Sequence, residues 1–226
     1  MADKQDVRER VWQTLEDEGA ARFPGTRGRI PNFRGAEAAA ALLAEQPEWG
    51  AADVVKSNPD APQLPVRRRA RHDGKTLYMA VPRLTEEKPF VRVMGDPTIK
   101  KAMTQGQPVC AEELGHVDVV VCGTVAVNHS GVRIGKGGGY SDLELGFLVE
   151  AALVDDDTTI VTTVHPLQVL DEELPETDHD FRVDIVVTPD EVIRTGARRR
   201  SPGVIWNHLD AETIAAIPVL AARRPG

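Results

Sequence analysis

The chain predicts an α/β fold built on a mainly parallel sheet. Three observations carry this. Runs of β-branched, apolar residues of strand length recur, as in VDVVVCGTVAV (117–127), TTIVTTVHP (158–166) and FRVDIVVTPDEVI (181–193). Amphipathic helical stretches separate them. The joins are short and rich in Gly and Pro. With 226 residues, 41% hydrophobic and 27% charged, the chain is large enough for a substantial core, and residues 1–226 are expected to form one domain.

Taken in order, residues 3–20 predict a helix. Val7, Val11, Trp12 and Leu15 fall near the helical period, and Gly19 stops it. FPGTRGRIPNFRG, 23–35, is an Arg-rich loop. AEAAAALLAEQPEW is helical as far as Pro47. ADVVKS, 52–57, predicts a short buried strand, with NPDAP as a turn. A helix is expected from near Pro65 to Gly74, a strand over 76–83, and a short helix ending at Gly106. The run 117–127 reads as one central strand buried on both faces, with a glycine-rich loop directly after it. DLELGFLVEAALV, 142–154, predicts a helix with an acidic first turn. A further strand ends at Thr188-Pro189.

Composition narrows the function. The net charge is −8, and there is no aromatic RNA-binding motif, which argues against nucleic acid as a partner. No run of about 18 apolar residues occurs, so no membrane partner is expected. MADKQDVRERVW is charged throughout and offers no apolar leader core, so a cytoplasmic location is expected. Cys110 and Cys122 read as two buried thiols. Trp12, Trp49 and Trp206 read as packing residues, and His165 as a loop histidine. Arg198, Arg199 and Arg200 read as a solvated basic run, or as a phosphate contact if they reach the glycine loop.

The stretch with chemistry in it is GVRIGKGGGYSDLE, 131–144. A strand, a glycine-rich loop and a helix form a phosphate-binding arrangement, because bare amides and a helix N-terminus face the anion. Arg133 and Lys136 add full charges. Gly135, Gly137, Gly138 and Gly139 supply the loop, and Tyr140 and Asp142 open the helix. Asp142 is a candidate ligand for a Mg²⁺ that bridges phosphate oxygens. The pattern is neither a Walker A loop nor G-x-G-x-x-G. A purely structural turn is the competing reading.

This stretch resembles the R-[LI]-G-x-G-G-G-Y-Y-D signature of the 5-formyltetrahydrofolate cyclo-ligase family. Lys4 and Arg8 fall where that family has a basic pair on an N-terminal helix. YMAVPRL, 78–84, resembles its strand ending in Pro-Arg. QVLDEELPETDHDFRVDIVVTPDEVI resembles a further segment through Gln168, Pro175, His179, Asp180, Asp184 and Thr188. Within the superfamily, RFPGTRGRIPNFRG, KSNPDAPQLPVR and TPDEVIRTGARRRSPGVIWNHL are similar to the methenyltetrahydrofolate-synthetase-domain-containing paralogues. The resemblance implies a Rossmann-like, three-layer fold with helices on both faces. It implies ATP and Mg²⁺ as cofactors and a reduced folate, 5-formyltetrahydrofolate, as substrate. It makes Arg133 and Lys136 the catalytic cations. Lys4, Arg8, the loop glycines, Tyr140 and Asp142 become nucleotide ligands. Catalysis of that kind is positioning and charge stabilisation on the transferring phosphoryl group.

Three positions depart from the pattern. Ser141 replaces a tyrosine, Asn128 stands where an aspartate is expected, and Pro62-Gln63 occupies the place of an acidic residue near the folate. Two readings stay open. One is an ATP- and Mg²⁺-dependent cyclo-ligase. The other is a nucleotide-binding paralogue without that activity, in other cofactor metabolism such as that of thiamin.

Overall fold

A computed structural model describes residues 3–197 and 199–223. Eleven strands form two sheets among these residues. The large sheet contains β1 (Val54–Ser57), β2 (Thr76–Ala80), β3 (Phe90–Arg92), β4 (Gln107–Val109) and β5 (Val119–Cys122). β8 (Thr159–Thr163), β10 (Ile185–Val187) and β11 (Val192–Arg194) complete it. Its order is β11-β10-β8-β5-β1-β2-β3-β4. The five central strands, from β10 to β2, are parallel; β11, β3 and β4 are antiparallel additions at the edges. A three-stranded sheet holds β6 (Ala126–Asn128), β7 (Arg133–Ile134) and β9 (Val169–Leu170).

The strand period of two distributes side chains between two cores. Val55, Leu77, Met79, Val119, Val121, Val161, Ile185 and Val187 face one way. They pack on α2 (Ala36–Ala44), α3 (Pro47–Ala51), α4 (Leu64–His72) and α5 (Ile99–Gln105), whose contacts include Ala39, Leu43, Trp49, Ala70 and Ala102. Tyr78, Ala80, Val120, Cys122, Ile160 and Val186 face the other way. They meet α6 (Tyr140–Glu150) through Leu145, Phe147 and Leu148, and α8 (Pro218–Arg223) through Val219 and Leu220. α7 (Ala211–Ala216) adds Ile214 to that layer. The architecture is thus three-layered, as expected. α1 (Lys4–Asp17) packs Val7, Val11, Trp12 and Leu15 on the small sheet.

The expected central strand 117–127 is in fact two. β5 ends at Cys122, and the chain turns through Gly123 and Thr124 into the small sheet. Gly123 lies so close to its neighbours that a Cβ would be 2.8 Å from Asp60 Oδ2 and 2.9 Å from Ile30 Cγ1. The apolar run continues because both sheets are buried, which hides the break from a hydropathy reading. The glycine loop accordingly follows β7, the return strand of an antiparallel hairpin with β6, and not the central strand itself. The strand expected over 76–83 stops at Ala80, where Pro82 opens a turn with Arg83 at φ 59° and Leu84 at φ 55°. Cys122 is buried, but Cys110 is only half-buried. Among the described residues no helix is long and apolar enough to cross a membrane.

Candidate active-site cleft

α4 joins β1 to β2 on one face, while α6 joins β5 to β8 on the other. The chain therefore leaves β1 and β5 in opposite directions. In open α/β sheets such a switch point opens a crevice at the carboxyl ends of the strands. A cleft of about 980 Å³ lies there, lined by Asn58, Pro59 and Asp60 after β1 and by Gly123 after β5. Its wall holds seven cationic side chains and four carboxylates, in a chain whose net charge is −8. That local reversal of sign favours an anionic ligand.

The glycine loop forms one wall. Gly137 has φ 103°, a conformation L side chains rarely adopt, and a Cβ there would be 3.3 Å from Arg8 Cζ. Gly139 begins α6 with no side-chain cap. The first N–H groups of that helix thus remain without a side-chain acceptor at the cleft's edge. Arg8 Nε donates to the Gly135 carbonyl at 2.7 Å, which fastens α1 to the loop. Burial lowers the Arg8 pKa from its usual value, against the pull of Asp3 and Asp180. Lys4 reaches Asp180 Oδ2 at 2.5 Å and Thr177 Oγ1 at 3.2 Å. Lys136 reaches Asp60 Oδ1 at 3.1 Å. Lys4, Arg8, Arg133, Gly135, Lys136, Gly137, Gly138, Gly139, Tyr140 and Asp142 all line this one cleft.

Arg133 differs from the other cations. It is 4% exposed and lies over the Phe181 ring, with Cζ 4.2 Å from the centroid. It donates to Asp142 Oδ1 at 2.9 Å and to the Gly123 carbonyl at 3.4 Å, while its Nε has no partner. It is a fixed strut beside the loop. Burial pushes the Asp142 carboxyl up, and Arg133 pulls against that shift. Asp142 Oδ2 makes no hydrogen bond among the described residues and lines the cleft. Among those residues no group of three or more metal-ligating side chains occurs. A Mg²⁺ here would take one carboxylate oxygen and otherwise phosphate oxygens and water, an arrangement usual for that ion.

Several lining residues were missed in the sequence. Asn58 and Asp60 come from the NPD turn. Arg67 holds that turn from below, donating to the Asn58, Asp60 and Pro97 carbonyls at 2.6, 2.9 and 3.1 Å. Burial lowers its pKa to about 10, which leaves it charged at neutral pH. Trp12 donates to the Arg29 carbonyl at 3.1 Å, and so fixes a rim that carries Arg27 and Arg29. Arg83 enters from its left-handed turn. Lys56, within a buried strand, pairs with Glu144. A lysine inside an apolar strand was the available signal.

The structure also places the other residues singled out in the sequence. Asn128 is outside the cleft. Its Oδ1 accepts from the Ser130 and Val132 amides and its Nδ2 donates to the Glu172 carbonyl, so it builds the β6–β7 turn. Gln63 is also outside, buried against Thr163 at 3.5 Å. The nearest carboxylate to Pro62-Gln63 in the chain that lines the cleft is Asp60, which pairs with Lys136. Arg199 binds the Thr177 carbonyl and Arg200 binds Asp184, neither in the cleft; Arg198 lies outside the described residues. His165 accepts from the Leu167 amide, as a turn residue. None of the three tryptophans lines the cleft.

Residues 1–189 match the model of the 5-formyltetrahydrofolate cyclo-ligase family. The chain belongs to that family. It is 39% identical to a methenyltetrahydrofolate synthase domain-containing protein of Bos taurus and 41% identical to one of Mus musculus. The matches cover 98% and 96% of this chain, and each covers 62% of the relative's own length. This chain therefore spans about three fifths of those relatives. A 5,10-methenyltetrahydrofolate synthetase of Aquifex aeolicus superposes with a TM-score of 0.57 at 21% identity. That match covers 87% of this chain and 94% of the other, and it bears on the fold.

Proposed function

We propose that the protein is an ATP- and Mg²⁺-dependent ligase that closes 5-formyltetrahydrofolate to 5,10-methenyltetrahydrofolate, releasing ADP and phosphate. The observation that carries this reading is a convergence. In a member of the cyclo-ligase family, the glycine loop, the uncapped start of α6 and the cations Lys4, Arg8 and Lys136 meet in one cleft at the sheet's switch point.

Loop amides and the α6 N-terminus would hold the phosphate chain, and Lys136 and Lys4 would neutralise charge that grows on the transferring group. In the free protein these two lysines rest on Asp60 and Asp180. An arriving phosphate competes with carboxylates already in place, so the cations are oriented before binding. Arg133 positions Asp142, whose free oxygen would take the Mg²⁺. That ion would supply charge neutralisation between phosphate oxygens. Asp60, next to Lys136, keeps the β1 turn and the loop in register.

The test is direct. Purified protein with Mg-ATP and 5-formyltetrahydrofolate should develop the methenyl chromophore, with one ADP formed for each product. MgATP binding without product would leave a nucleotide-binding paralogue. The feature that favours this second reading is Ser141, where a serine replaces the family's tyrosine and accepts a hydrogen bond from Asn58 Nδ2 at 3.2 Å.

A further inference from the structure

Lys56 lies in β1, between β2 and β5, and is 1% exposed. Its ammonium is 2.5 Å from Glu144 Oε2 and 2.7 Å from Asn58 Oδ1. Asn58 Nδ2 donates in turn to Ser141 Oγ at 3.2 Å. A chain of four polar side chains thus connects the end of the central strand to the first turn of α6. Burying an ion pair costs desolvation that two apolar side chains of the same volume would avoid. Packing alone gives no reason for charge here.

Glu144 supplies the reason. It is 5% exposed, yet it lines the cleft. Lys56 holds it by Oε2. Its Oε1 has no hydrogen-bond partner among the described residues and is not sealed from the cleft. The result is a carboxylate fixed by one oxygen and open at the other, in a wall that also carries Ile30, Ala61, Pro82 and Ile99. A cleft that combines apolar side chains with one oriented acceptor suits a heterocycle that presents an N–H donor.

We propose that Glu144, positioned by Lys56, recognises the amino-substituted pyrimidine ring of the small-molecule substrate by accepting a hydrogen bond from its exocyclic amine at Oε1. This rests on the reading of the cleft as a ligase site with the nucleotide phosphates on the glycine-loop side. It deepens that reading by assigning the second substrate's recognition to one residue. A 2-aminopyrimidinone ring, such as that of a pterin, carries an amine that can donate to the one open oxygen. Charge-assisted pairs of this kind are the strong ones.

The experiment compares pterin with lumazine, which carries an oxo group in place of the 2-amino group. Binding of each is measured by calorimetry in the presence of Mg-ADP, for the wild type, Glu144→Gln and the double variant Lys56→Met with Glu144→Leu. The double variant removes both charges together, so neither is left buried without its partner, and circular dichroism checks that it is folded. The wild type should prefer pterin by about tenfold or more, and both variants should lose that preference while their MgATP affinity stays within about twofold. Equal binding of the two rings by the wild type would overturn the proposal, as would a preference that survives in the double variant. A loss of MgATP affinity in step with pterin would overturn it too, since Glu144 would then serve the nucleotide. A wild type that discriminates the rings but makes no methenyl product would refute the ligase assignment and leave the role of Glu144 standing.

Discussion

The glycine loop and the floor beneath α6 face the same cleft with opposite construction. Residues 136–139 are exposed, and their chemistry is carried by backbone amides and by cations resting on nearby carboxylates. Lys56, Asn58 and Glu144 are buried, and their chemistry is carried by side chains locked to one another. A backbone-built wall accepts any phosphate that fits its curve. A side-chain floor with one open oxygen would, on the proposal above, select among rings. On the proposed reading, the loop side of the cleft is general and the floor sets specificity.

The largest break in that contrast comes from Gly137→Val. The valine must adopt φ near 103° with its Cβ against Arg8, and a branched side chain is least able to do so. MgATP affinity should fall by about 100-fold or more, with the far-ultraviolet circular dichroism unchanged. A folded variant with normal affinity would mean that the loop is only a turn. Lys136→Ala comes next. It removes one charge-assisted contact from a half-exposed position and should weaken MgATP by about 10- to 30-fold, roughly 1.5–2 kcal/mol. Unchanged affinity would show that Lys136 serves only to hold Asp60.

Acid sharpens the contrast on the α1 side. Burial works against the Asp180 carboxylate, but Lys4, the Thr177 amide and the Thr177 hydroxyl outweigh it and lower its pKa. A lowered folded-state pKa stabilises the protein above the unfolded value and loses that stability as pH falls through the folded value. The advantage of wild type over Asp180→Asn should thus be full at pH 7, at about 1 kcal/mol, and vanish below the ordinary aspartate range near pH 4. Thermal midpoints of the two proteins across pH measure this. A difference that persists in acid would assign the effect to shape and not to the ion pair.

Much of this was legible in the chain. Continuous β-branched apolar runs announced the parallel strands, and the glycines with Arg133 and Lys136 marked the loop. What stayed hidden has two physical causes. A continuous apolar run does not show where a strand leaves one buried sheet for another, as at Gly123. Side-chain pairs across long separations leave no local pattern: Lys56 and Glu144 stand 88 positions apart, and each reads alone as an ordinary charge. The segment from Gln168 to Thr188 shows the same limit. His179 and Asp180 reach the cleft, whereas Gln168 ties the Thr124 and Val125 carbonyls and Asp184 caps the Ile160 amide.

The smallest effect is expected at Asn128, and it separates residues that shape the cleft from residues that only resemble a pattern. From sequence, aspartate at this position would restore a missing site charge. The structure gives a different account. Asn128 uses its carbonyl oxygen for two turn amides and its amide nitrogen for the Glu172 carbonyl at 3.2 Å. Aspartate keeps the two acceptor bonds, since a carboxylate accepts at either oxygen. It loses the donor and sets a negative oxygen against the Glu172 carbonyl. That contact is only partly buried, so water relieves some of the conflict, and the cost should be no more than about 1 kcal/mol. No lining residue of the cleft bonds to the Asn128 side chain. Asn128→Asp should therefore lower the thermal midpoint slightly and leave MgATP affinity and methenyl formation within about twofold of wild type. A marked gain in turnover would return Asn128 to the site and require a path from the β6–β7 turn to the cleft that the hydrogen bonds do not provide.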